Sequence, residues 1–74
     1  MRLSELQIGQ SAVITEITNL EVSLKLLEMG CVPGMVVRLD HIAPFGDPIA
    51  IHVADYKLSL RKSDASNVGV ELLT

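Results

Sequence analysis

Cys31, His41 and His52 are the soft or imidazole donors of this chain, with Asp40 and Asp47 nearby as oxygen donors. A structural zinc site draws ligands in close pairs such as C-x-x-C or H-x-x-x-H, because one turn must set two of them at bonding distance. The chain has no such pair, so no native metal site is predicted. His41 and His52 fall in segments that read as neighbouring strands, and a meeting across the sheet is what would bring them together. A nucleophile needs a positioned base, and neither Cys31 nor any of the six serines stands in a G-x-S-x-G motif. Gly30-Cys31-Val32-Pro33-Gly34 has the glycines of a phosphate loop, but no lysine follows and Pro33 removes an amide donor. Phe45 and Tyr56 are the two aromatics, too few for a base-stacking platform. These residues predict no catalytic centre and no cofactor; the chain is expected to work by binding a partner.

The elements that position these residues are short. Ser11–Ile17 is rich in β-branched types and reads as a strand. Its alternation slips, with Ala12 and Ile14 on one parity and Val13 and Ile17 on the other, as a β-bulge would allow. Leu20–Met29 is the one substantial helix, with Asn19 as N-cap and Gly30 at the left-handed position that ends it. Pro33-Gly34 turns the chain into a strand over 35–42. The segment 43–48, Ala-Pro-Phe-Gly-Asp-Pro, is a loop in which Asp47 is expected to tie its own backbone. Strands are predicted over 49–53 and 57–61 with a turn at Asp55-Tyr56, then one helical turn over 62–67 with Ser63 as its cap. A last strand covers 68–72, with Val68, Val70 and Leu72 inward. Leu3, Leu6 and Ile8 are placed as anchors of the opening turn. Five strands and one helix in so short a chain predict a mainly β fold, a small SH3-like antiparallel barrel, because closure removes unpaired edges.

Bulk properties narrow the function. Seventy-four residues make one domain, 1–74. A chain of 8.0 kDa leaves roughly 4,400 Å² exposed of roughly 11,600 Å² unfolded, a core without room for a deep cleft beside it. Six basic against nine acidic residues give a net charge of −3, which argues against a nucleic-acid partner. Lys57, Arg61 and Lys62 cluster in sequence and read as solvated surface. One cysteine forms no internal disulfide, the first residues lack a signal-peptide core, and no apolar run reaches the ~18 residues of a membrane span. The expectation is a cytoplasmic protein with no direct membrane insertion.

The helix carries the partner-binding expectation. At ~100° per residue, Leu20, Leu24 and Leu27 line one face, and Val22, Leu26 and Met29 line a second, nearly opposite. A helix on a small barrel needs one apolar stripe for the core, so the other is left for a loop, a second copy or a different protein. Val22, Leu26, Met29, Cys31 and Val32 are the residues assigned to the partner, and Leu26→Glu is expected to spare the fold while removing binding.

Three segments resemble one family. Leu26-Leu27-Glu28-Met29-Gly30-Cys31-Val32-Pro33-Gly34 is similar to the L-x-x-[LM]-G-x-x-P-G signature of the FeoA family. Ala43-Pro44-Phe45-Gly46-Asp47-Pro48-Ile49 resembles its A-P-x-G-D-P-[IV] segment. Leu58-Ser59-Leu60-Arg61-Lys62-Ser63-Asp64-Ala65 resembles its L-x-L-R-[KR]-x-[DE]-A ending. The three stand in the same order over nearly the whole chain; the departure is at Asp55-Tyr56, where the family often has a glycine. The resemblance implies a small SH3-like accessory protein of bacterial ferrous iron transport, concerned at the family level with a transition metal. Its implied partner is the FeoB permease, through that protein's cytoplasmic G-protein domain or its membrane portion, which would hold it at the membrane. Two alternatives stand beside this adapter: a metal- or ligand-sensing module resembling the C-terminal domain of iron-dependent repressors, and a self-associating homo-oligomer.

Overall fold

The computed structural model describes residues 1–73. The runs of β-branched residues become five strands: β1 Ser11–Ile17, β2 Val36–Ile42, β3 Ile49–Val53, β4 Tyr56–Leu60 and β5 Val68–Leu72. Helix α1 spans Leu20–Glu28 between β1 and β2, and the short helix α2 spans Lys62–Ala65 between β4 and β5. All strand pairs are antiparallel, in the order β4-β3-β2-β1-β5. The sheet curls until side chains from every strand meet α1 in one core, which includes Ile14, Leu26, Leu39, Ile51, Leu60 and Val68. The accessible surface is 4508 Å², close to what the mass requires.

Two bulges give the sheet its curl. The β1–β5 register shifts between Ile14 and Glu16, so Ala12 and Ile14 are buried and Ile17 still reaches the core. A second shift, between Leu39 and His41, does the same for β2. Val37 and Leu39 point inward on one parity, and Ile42 packs against the core on the other.

Several local expectations need correction. Leu3 and Leu6 are buried but Ile8 is exposed, and Leu72 at the end of β5 is exposed as well. The β3–β4 hairpin turns on Ala54-Asp55, because Val53 pairs with Tyr56; Tyr56 begins β4 instead of making the turn. Ser63 lies inside α2 and caps nothing at its start. The Lys62 N–H there donates to Asp47 Oδ1 at 2.9 Å. Asp47 therefore ties the β2–β3 loop to α2, not to its own backbone. The outer edge of β5 is partly occupied by the first residues: Arg2 bridges Gly69, and the Val70 N–H donates to the Met1 carbonyl at 2.8 Å.

Candidate functional site

Helix α1 is fixed at both ends before its faces matter. At its start, Asn19 Oδ1 accepts from the Val22 N–H at 3.1 Å, satisfying a donor that the first turn leaves free. At its end, the Cys31 N–H reaches the Leu26 carbonyl at 2.8 Å and the Gly30 N–H the Leu27 carbonyl at 3.0 Å. That pair of bonds is a Schellman closure, and it needs Gly30 at φ 77°. The Tyr56 hydroxyl, arriving from β4, donates to the Met29 carbonyl. The helix is clasped to the sheet, and its rotation is set.

That rotation reverses the expected surface. Val22 is 7 % exposed, and Leu26 and Cys31 are fully buried. Met29 packs against the same core and Val32 is half-buried. The five residues assigned to a partner are thus mostly core, and Leu26→Glu would set a carboxylate where nothing can pair it. The open face is Leu20, Leu24 and Leu27, at 75 %, 53 % and 57 % exposure. One signal in the sequence pointed this way. The second stripe continues past Gly30 into Cys31, one of the residue types most often buried, whereas Glu21 and Glu28 flank the first.

The open face has a charged border on one side. With Leu24 as origin, Glu28 and Glu21 lie about 40° and 60° round the helix and Lys25 about 100°. Lys25 Nζ is held by Asp64 Oδ2 of α2 at 2.9 Å. Phe45, at the tip of the β2–β3 loop, is 99 % exposed. That loop is braced by the Ala43 N–H to the Pro48 carbonyl at 3.0 Å and the Gly46 N–H to the Ala43 carbonyl at 2.8 Å.

The candidate metal donors do not converge. In the β2–β3 register His41 stands opposite Ala50 and His52 opposite Arg38, while Cys31 is in the core, where burial pushes its thiol pKa up. Asp40, not His41, is the neighbour of His52, its Oδ2 lying 3.8 Å from Nδ1. Its other oxygen accepts from Arg38 Nε at 2.7 Å, and that hydrogen bond holds the Asp40 pKa below the usual carboxylate range. A guanidinium beside the carboxylate opposes a second cation. Among the described residues no three of His, Cys, Asp and Glu gather as a metal group. A concavity of about 510 Å³ is a polar depression that includes Arg2, Glu5, Glu16 and Asn67. No helix among these residues is long and apolar enough to cross a membrane.

A curled five-stranded antiparallel sheet with one clasped helix, Leu20, Leu24 and Leu27 outward, defines an SH3-like domain. A FeoA from Stenotrophomonas maltophilia, solved in complex with zinc and described as a procaryotic SH3-domain protein, superposes with a TM-score of 0.83. It is 34 % identical, and the match covers 96 % of this chain and 89 % of that one. The FeoA domain family model matches residues 1–72: the chain belongs to the FeoA family, of ferrous iron transport. It is also 43 % identical, over its whole length, to part of a Porphyromonas gingivalis fusion protein of Fe(2+) transport protein A and the Fe(2+) transporter FeoB. The chain spans 9 % of that relative's length. A manganese-dependent transcriptional repressor in complex with manganese matches 99 % of this chain and 36 % of its own, with a TM-score of 0.91 and 14 % identity; that likeness is one of fold.

Proposed function

We propose that this chain is an accessory module that docks on a FeoB-type ferrous iron permease and regulates or assembles it. The observation that carries the reading is the fused relative, in which a domain 43 % identical to this one is covalently joined to FeoB. A tether raises effective concentration to the millimolar range for short linkers, which matters only for modules that meet. The open leucine face of α1 supports the same reading, since a rigid apolar helix face is a recurring means of docking. On this reading the chain works in the cytoplasm, against the permease's G-protein domain or its membrane portion. The deciding experiment titrates the chain against full-length permease in nanodiscs while GTP hydrolysis is followed. Saturable binding with a changed rate supports a regulator, and binding at an unchanged rate supports an assembly factor. Absence of binding to the full permease overturns the proposal. The repressor-like sensing alternative would need Cys31, His41 and His52 together, and their separation favours docking over it.

A further inference from the structure

We infer that the docking element is the outward face of α1, Leu20, Leu24 and Leu27 with Glu21 and Glu28 beside them, and that its occupant is an apolar groove on the permease rimmed by lysine or arginine. This rests on the permease reading above and names the surface that reading leaves open. The three leucines stand at i, i+4 and i+7, each more than half exposed, and form a patch on the order of 300 Å², a size that on a monomer is often functional. Both ends of the helix are fixed, by Asn19 and by the Schellman closure with Tyr56, so little order remains to be imposed on binding.

The charges select the occupant. Lys25, the cation nearest the stripe on the helix, is drawn off to Asp64. Glu21 and Glu28 are in no ion pair among the described residues. The leucines are therefore bordered by two free carboxylates on one side and by Ser23 on the other, a pattern that complements a basic rim. The same border disfavours a second copy. An antiparallel two-fold pairing through this face brings like flanks together and sets Glu21 of one copy against Glu28 of the other; a parallel pairing aligns the two helix dipoles. The patch is also smaller than the roughly 800 Å² per partner of a standard stable interface, so the separate chain binds weakly, and a covalent tether as in the fused relative offsets that weakness.

The test measures binding of the full chain to full-length permease in nanodiscs at low and high salt. Its variants are Leu24→Gln/Leu27→Gln, Glu21→Lys/Glu28→Lys, and Ile8→Ser as an exposed apolar control. Glutamine and lysine are good helix formers and the sites are exposed, so circular dichroism and Tm should match the parent; the charge reversal removes no core atom and stands if the leucine pair perturbs the helix. We expect each double variant to weaken binding by about tenfold or more, with Ile8→Ser unchanged and salt weakening the parent more than the charge-reversed chain. Parent binding that both double variants retain within about twofold overturns the surface and leaves the permease reading standing. Loss with the leucine variant alone overturns the basic rim. No binding by the parent overturns the permease reading and this assignment with it. A parent dimer in sedimentation that Leu24→Gln/Leu27→Gln abolishes would give the face to a second copy instead.

Discussion

Gly30 meets two demands at once. Its φ of 77° is strained for any side chain, and a Cβ there would stand 2.9 Å from the Tyr56 hydroxyl oxygen. Gly30→Ala is therefore expected to cost about 1–3 kcal/mol, part as backbone strain and part because the ring must swing away from the Met29 carbonyl. Tyr56→Phe alone should cost about 1 kcal/mol. In the Tyr56→Phe background Gly30→Ala should cost clearly less, because the oxygen in its way is gone; denaturant unfolding of the four chains reads that coupling, and strict additivity would contradict it. Asp40 gives a second residue-scale test. The Arg38 hydrogen bond lowers its pKa in the folded chain, so its stabilising contribution is complete above the usual carboxylate range and is lost as pH falls through the lowered value. Arg38→Gln should move the Asp40 titration upward when followed by NMR, and an unmoved midpoint would show that the pair does not hold in solution.

The element scale turns on which side of α1 is load and which is surface. Leu26→Ala empties a fully buried site and should cost about 2–5 kcal/mol, whereas Leu24→Gln on the open face should stay within about 0.5 kcal/mol. Asn19→Ala removes the cap and should cost about 1 kcal/mol; thermal unfolding ranks all three. Much at this scale was legible: the spans of β1, β3 and β5, the slip in β1, and the cap at Asn19 with the stop at Gly30 all follow from local chemistry. The facing of α1 did not, because each of its two stripes carries three large apolar residues. The choice between them is made by contacts with the sheet: Tyr56 of β4 holds the Met29 carbonyl, and Val22, Leu26 and Met29 pack into the shared core. The bulge in β2 has the same sequence signal as the one in β1, a change of parity between Leu39 and Ile42. His41 pairs with Ala50 and His52 with Arg38, and Asp40 is the carboxylate beside His52. The role of Asp47 is not local, because its donor is the Lys62 N–H, fifteen positions on.

For the molecule as a whole, the core is small and shared by every element, and Cys31 sits inside it with no exposure. Burial raises the thiol's pKa, which lowers its thiolate fraction, and the fold blocks access. Iodoacetamide should then label the native chain at least about a thousandfold more slowly than the unfolded chain, as a domain of this size with ordinary stability would require. Labelling at the unfolded rate would show that the segment after α1 opens locally. Tyr56 adds a complementary signal from its place at the end of the helix. The chain has one tyrosine and no tryptophan, so its 280 nm absorption and dichroism come from the ring that clasps α1. The protein carries two native reporters at different depths, an optical one at the clasp and a chemical one in the core. Followed together under rising denaturant, they tell whether the helix end lets go before the core does.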